Sequence, residues 1–560
     1  MPKVYIKGKG QVDLNNNDFL AEGGQGKIFA KGNVVYKLYH EPSKMIPSAK
    51  IDELSVLTDT NIIKPEDLLI NSKNQPIGYT MKFVPDTNPL CKIFTKAFKQ
   101  REGVKEDQII KLVRRMQETL SHIHDKNILA VDLNEMNFLV SKVFDEVYFI
   151  DVDSYQTKNF PATVLMESIR DRHMKPGHFT KETDWFSFAI VTFQMFIGIH
   201  PYKGKHPTIQ NLEERMKKNI SVLNPTVSIP VICYPITNIP KSYLEWYKAL
   251  FENGLRVSPP QDLTNNFVIN TIVKKISNSN NFDMEEIHKF NDNIIDYYHS
   301  NGVEIIVTEK HVYVNGRKDV LNVKKPVFGF TQKMNRPIVA FSKDGLVNIY
   351  DVLQQKTLHT CVGKNYMEYD GRIYVQGEQN IYEVNLIEGK DTFVSTQSVS
   401  NILEKATQMF DGVVVQNLLG SYYVSIFPKP NHHNQINIKE LNRYKIIDAK
   451  YKNNVLMIVG NKNGKYDRLV FRFNENWEYD CRITKDVCYN GINFVVLDNG
   501  ICICINEEEK VEIFNNKKDS ATLTEIDDPA IHGDMKLFNK GTKVLFAENN
   551  KISSMTMRKK

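Results

Sequence analysis

The chain has 560 residues, too many for one ordinary domain, and its 41% hydrophobic and 25% charged content is that of a globular protein with two or three domains. A net charge of +6 over that length does not supply the concentrated basic stripe of a nucleic-acid binder, so no nucleic-acid partner is expected. Seven cysteines, an odd number with no Cys-x-x-Cys pair, argue against a zinc site or a disulfide framework and for a reducing, cytoplasmic setting.

The first residues, Met1-Pro-Lys-Val-Tyr-Ile-Lys7, lack the apolar run of a signal peptide. Over 1–85, short apolar runs alternate with turns at a period of two, which predicts strands, with one helix near 48–57. Residues 105–125 place Ile109, Ile110, Leu112, Val113, Met116, Leu120 and Ile123 at helical spacing. The longest apolar stretch, 185–199, is too short and too polar for a membrane span, so it predicts a buried core helix, and no membrane partner is expected. Helical patterns continue to about residue 300, with loops at 201–207 and 222–240. The polar, Asn-rich tract 263–301, with an amphipathic segment at 284–298, predicts a helical linker.

From Val303 the texture changes. Short β-branched and aromatic runs recur behind Asp-Gly, Asn-Gly and Asn-Asn turns such as Lys343-Asp-Gly345, Tyr369-Asp-Gly371, Phe410-Asp-Gly412 and Lys452-Asn-Asn454. Turns recurring about every 26 to 45 residues predict roughly seven hairpin units, hence a β-propeller. Cys502 and Cys504 alternate with Ile501, Ile503 and Ile505 and belong on one face of a strand.

Four motifs carry chemistry. Leu20-Ala-Glu-Gly-Gly-Gln-Gly-Lys-Ile28 fits a strand–turn–strand whose Gly23, Gly24 and Gly26 let a phosphate approach the backbone, with Ala21 and Ile28 flanking the loop. Eleven residues after Gly26, Lys37 stands in the apolar strand Val34-Val-Tyr-Lys37. Asp132-Leu-Asn-Glu-Met-Asn137 puts an Asp five residues before an Asn. After a short hairpin, Ile150-Asp-Val-Asp-Ser154 adds Asp151 and Asp153.

With these motifs, residues 20–260 resemble the protein kinase superfamily, in particular its divergent bacterial and phage-borne members. The resemblance implies an α+β fold over 1–262, bilobal and kinase-like, with an N-lobe of about 1–88 and a C-lobe of about 89–262. An all-β, propeller-like domain of about seven blades follows over 302–560. The implied cofactors are ATP and Mg2+. Asp132 would accept or orient a substrate hydroxyl, Lys37 would contact the α/β-phosphates, and Glu53, or Asp52 beside it, would form the ion pair that orients Lys37. Asn137 and Asp151 would hold magnesium; Asp151 is the better match, and Asp153 is either a second ligand or the principal one. Asp184 resembles the acid that braces the catalytic loop, and Arg256 the residue that clamps the activation segment, with Glu167 or Glu182 standing in for its usual partner. The sequence departs from the family at Ala130 and Val131, where His and Arg are usual, at Asn134, where Lys is usual, and in lacking Ala-Pro-Glu. Val131 implies no switching through the usual phosphate-reading Arg. The expected function is a Ser/Thr protein kinase whose propeller recruits a protein substrate or partner; the alternative is a pseudokinase scaffold.

Overall fold

The computed structural model describes residues 3–162, 165–261, 279–300, 302–319, 323–389 and 392–558. The chain divides into two compact units, Met1–Lys274 with Asn463–Lys465, and Lys275–Lys462 with Tyr466–Lys560. It is mostly β, with few helices and many small antiparallel sheets, and its C-terminal region is all-β. Among the described residues, no helix is long and apolar enough to cross a membrane.

The N-terminal unit opens with β1 (Val4–Ile6), β2 (Gly10–Val12), β3 (Phe19–Glu22), β4 (Gly26–Lys31) and β5 (Val34–Tyr39). After helix α1 (Ser48–Leu54), β6 (Leu68–Ile70) and β7 (Pro76–Lys82) complete a seven-stranded antiparallel sheet of order β2-β1-β6-β7-β5-β4-β3. Gly26 is demanded by this packing, because a Cβ there would lie 2.1 Å from Leu38 O on β5.

The helical part begins with β8 (Thr87–Pro89), α2 (Lys96–Glu102) and α3 (Glu106–Asp125). All seven apolar positions predicted for α3 are buried, and Glu106 and Asp107 favour its N-terminal dipole end. β9 (Phe138–Ser141) and β10 (Val147–Phe149) form a hairpin that joins β8 in a three-stranded sheet. The apolar stretch at 185–199 lies in α4 (Lys181–Ile197), whose residues from Asp184 to Thr192 are all buried. Thr180 caps its start, and Gly198 ends it in the left-handed region at φ 89°. Gly198 also passes so close to Phe94 that a Cβ would sit 2.7 Å from the Phe94 carbonyl oxygen. α5 (Leu212–Lys217) and α6 (Lys241–Phe251) follow.

The linker reading is corrected where the chain is described. Residues 262–278 lie outside the described residues, and the supposed amphipathic helix at 284–298 is two strands, β11 (Phe282–Lys289) and β12 (Ile294–Ser300). β11 is an outer strand with little burial, and a bulge between Glu286 and His288 shifts its register. Both features erase the period-two alternation that marks a half-buried strand.

The C-terminal unit contains seven four-stranded antiparallel sheets among the described residues. Six are built from consecutive strands, beginning at Ile294, Val327, Asn365, Thr407, Lys445 and Phe494. The seventh combines both ends of the unit: β11 pairs with the last strand, Lys551–Met557, from Phe282↔Met557 to Lys289↔Lys551. The apolar cores run from sheet to sheet. Tyr297 and Ile306 pack with Phe538 and Leu545; Ile305 and Val307 pack with Phe328 and Val339; Ala340 and Ile349 pack with Ile373 and Val375. One larger core joins the sheets starting at Asn365, Thr407 and Lys445. Met457 and Val470 then pack with Phe494 and Cys504, and Ile503 and Val511 with Leu537, Phe546 and Phe282. Each sheet thus shares a core with the next, and the last with the first. Cys502 and Cys504 share one strand face as small buried apolar groups, with Ile503 and Ile505 buried on the other.

Candidate functional site

Lys37 sits in the middle of the seven-stranded sheet. The strand register pairs Ala21 with Ile28, Ile28 with Lys37, Lys37 with Tyr79, and Tyr79 with Leu68. Directly opposed residues share a sheet face, so Ala21 and Ile28 form one row with Lys37. The loop carrying Gly23 and Gly24 hangs over the end of that row, closed by Gly23 N donating to Gly26 O at 3.0 Å. A Cβ on Gly23 or Gly24 would meet no protein atom within 4 Å, so the fold leaves open space there.

Lys37 is 7% exposed, and its ammonium donates to Asp153 Oδ2 at 2.8 Å, with Asp151 Oδ1 3.7 Å away. Tyr39 OH donates to the same Asp153 oxygen at 3.0 Å, and the Tyr39 and Tyr79 rings flank the ammonium at 5.3 and 5.5 Å. Burial weakens the hold of Lys37 on its proton, but Asp153 and then Asp151 raise its affinity above the ordinary lysine value. Burial also opposes ionisation of Asp153; Lys37 outweighs it and holds the carboxylate below its usual range.

The expected Lys37–Glu53 pair is not made. Glu53 accepts from the side chain and backbone N–H of Asn159, and Asp52 is exposed. The charged residue that α1 buries is Lys50, 6% exposed, whose ammonium donates to the Asp153 backbone carbonyl at 2.7 Å.

Asp132 and Asn137 lie on the loop between α3 and β9. Asn137 Nδ2 donates to the Asp132 carbonyl at 2.8 Å, and Ile150 N donates to the Asn137 carbonyl at 2.9 Å, which ties this loop to the Asp151 turn. The Asp132 carboxylate accepts from Met166 N at 2.9 Å and from Asn134 Nδ2 at 3.0 Å. Burial pushes its pKa up despite these donors. Asp151 begins a short turn in the left-handed region, at φ 61°. Protein atoms crowd its carboxyl while 44% of the side chain stays exposed. Burial and then the neighbouring Asp153 push its pKa up to about 6, a tension that a bound cation would relieve. Asp151 and the Asn137 carboxamide fit magnesium's preference for one or two protein ligands plus phosphate oxygens.

Behind the loop, Asp184 is fully buried and accepts from Ala130 N at 2.8 Å, Val131 N at 2.9 Å and His124 Nε2 at 2.9 Å. Val131, at φ 61°, is a β-branched residue in a region such residues avoid. Arg256 makes a bidentate pair with Asp171, both contacts at 2.6 Å, and stacks over the Phe186 ring. The stand-ins Glu167 and Glu182 are corrected to Asp171; Glu167 is held by Arg170 and Arg172 instead. Sequence reasoning missed Lys50, Tyr39, Tyr79, His124 and Asp171. Only Asp171, set between Arg170 and Arg172, carried a local signal.

No protein-family model matches the chain. It is 24% identical over 165 residues to a probable serine/threonine-protein kinase of Dictyostelium discoideum, a match covering 28% of this chain and 12% of that protein. It is 23% identical over 133 residues to serine/threonine-protein kinase 1 of Heliothis zea nuclear polyhedrosis virus, covering 22% of this chain and 49% of that protein. The chain therefore spans less than half the length of either curated relative, and its likeness to serine/threonine kinases is distant and partial.

Proposed function

We propose that the N-terminal unit is a two-lobed Ser/Thr protein kinase domain using Mg2+ and ATP, and that the C-terminal unit is a seven-bladed β-propeller recruiting a protein substrate or regulatory partner. The observation that carries the first part is the convergence of Lys37, Asp151 and the Asp132–Asn137 loop through direct contacts and a shared backbone tie. The two kinase relatives support the same reading. For the second part, the support is the series of shared cores that returns from the seventh sheet to the first.

In this reading the open loop at Gly23 and Gly24 admits phosphate oxygens to backbone N–H groups, and Lys37 neutralises the α/β-phosphates. Asp151 and Asn137 would hold Mg2+, which when bound offsets charge on the phosphate oxygens. Asp132 accepts the proton of the incoming hydroxyl as the γ-phosphoryl group passes from the ADP oxygen to the hydroxyl oxygen. Its raised proton affinity suits it to that task. The scaffold reading draws on a different observation: both Asp132 carboxylate oxygens already accept a donor.

Purified chain given Mg2+ and γ-labelled ATP is expected to label itself or a generic basic protein. Asp132→Ala is expected to cut this by at least about a hundredfold. Equal labelling by wild type and variant, or none by either, favours the scaffold.

A further inference from the structure

The acid beside Lys37 comes from an unexpected place. Helix α1 sends no carboxylate to the ammonium; the partner is Asp153, two residues beyond Asp151 on the turn after β10. Asp153 is 5% exposed, and its Oδ2 is taken by two donors, Lys37 and Tyr39. Its Oδ1 is enclosed, and the equally enclosed Tyr79 hydroxyl helps to hold the carboxylate in its charged form. Magnesium would have to displace Lys37 from this carboxylate or enter a space closed by aromatic rings, and it parts with its water shell reluctantly. Asp151, by contrast, stays open to solvent. Lys50 completes the arrangement, because its bond to the Asp153 carbonyl fixes the backbone that carries the carboxylate.

We propose that Asp153 is the positioning residue for Lys37, mounted on α1 through Lys50, and that Asp151 alone of the two acids is left to the metal. This rests on the phosphotransferase reading above. The acid–lysine contact that sets the phosphate-binding ammonium is then built within the turn that carries the metal-binding acid. Helix α1 contributes a cation to that turn and no acid to Lys37.

The test compares ATP affinity and Mg2+ dependence in the full chain. Asp153→Asn is nearly isosteric and keeps an acceptor for Tyr39. It is expected to raise KM for ATP about tenfold with a smaller effect on kcat, and to leave the Mg2+ half-saturation unchanged. Lys37→Ala combined with Asp153→Asn is expected to be no worse than Lys37→Ala alone, as for residues acting as one unit. Asp151→Asn is expected to shift the Mg2+ half-saturation instead. A Mg2+ shift in Asp153→Asn like that in Asp151→Asn, or additive losses in the double variant, overturns the assignment. If Asp153→Asn does not fold, Lys50→Gln leaves both carboxylates in place. A severalfold rise in its KM for ATP at unchanged Mg2+ dependence supports the proposal, and an unchanged KM overturns it. ATP binding by the wild type, read by calorimetry, separates the two levels. Wild type that binds no nucleotide removes the phosphotransferase reading and this proposal with it. Wild type that binds while the variants behave as stated for failure removes this proposal alone.

Discussion

Asp184 shows what a single buried side chain does for the candidate site. Its two oxygens accept from Ala130 N, Val131 N and His124 Nε2, and they hold Val131 in the left-handed region, at a cost of roughly 1–3 kcal/mol for a residue of this kind. Asp184→Ala leaves two backbone donors and an imidazole buried without their acceptor. The expected loss is about 3–5 kcal/mol of stability in the N-terminal unit, with phosphotransfer lost alongside. Trp185, whose ring meets His124 edge-on at 5.1 Å, gives a fluorescence reporter for the denaturant titration. A midpoint within error of wild type would contradict the bracing role. The positions of Lys37, Asp132, Asn137 and Asp151 were legible because each sits at a fixed spacing from a strand or turn that the sequence marks clearly. The Lys37 partner was not. α1 has only seven residues, too few for its periodicity to say which face points inward; the resemblance implies Glu53, and the helix turns Lys50 inward. His124 acts through a contact across 60 residues, which no local pattern records.

At the scale of elements, α2 and α4 meet through one buried cation. Lys99, on α2, is 5% exposed; its ammonium donates to the Met195 carbonyl near the C-terminus of α4 at 2.6 Å and lies 4.4 Å from the Tyr234 ring centre. Helix C-termini favour positive charge, but burial dominates and pulls the Lys99 pKa down to about 7, with Glu106 opposing. The sign of the pH effect follows. Below about pH 7 both folded and unfolded chains carry the proton. Between about 7 and the usual lysine value of 10.5 the unfolded chain holds one proton more, so stability rises with pH. The expected slope from this group approaches about 1.4 kcal/mol per pH unit between pH 8 and 9. Lys99→Met should remove it, as read by amide exchange of α4 corrected for intrinsic rates. Parallel pH profiles for the variant and wild type would rule it out. The helices themselves are legible where they are long: α3 announces itself by apolar spacing and α4 by its apolar run. The strands at 282–300 carry a helix-like pattern in the sequence because β11 is an exposed outer strand with a bulge, and β12 is only partly buried, so neither shows the alternation that a half-buried strand imposes on its sequence.

For the whole molecule, the largest consequence lies in how the C-terminal unit closes. Turn spacing gives roughly seven repeats, and the described residues form seven four-stranded sheets. What spacing alone did not reveal is that one sheet is assembled from both ends of the unit, because strands about 260 residues apart carry no mutual signal. The last strand, Lys551–Met557, lies between β11 and the strand Lys543–Glu548. It contributes Met555 to the core shared with the sheet starting at Phe494, and Ile552 to the core shared with the sheet starting at Ile294. Ending the chain after residue 549 therefore removes more than seven residues of pairing. It strands β11, leaves Lys543–Glu548 with an open edge, and opens two inter-sheet cores at once. If each sheet depends on both neighbours, the loss spreads. Amide protection is expected to fall in the sheets starting at Ile294 and Phe494 as well as in the broken one, and the exposed edges should promote association. The comparison is a chain of full length carrying Met557→Ser, an exposed position at the end of the same strand, which is expected to keep wild-type protection. Exchange loss confined to the broken sheet in the truncated chain would mean that the seven sheets are stable one by one and that closure contributes little. Loss on both flanks, graded outward toward the sheet starting at Thr407, would mean that the two ends of the unit hold the series of sheets shut.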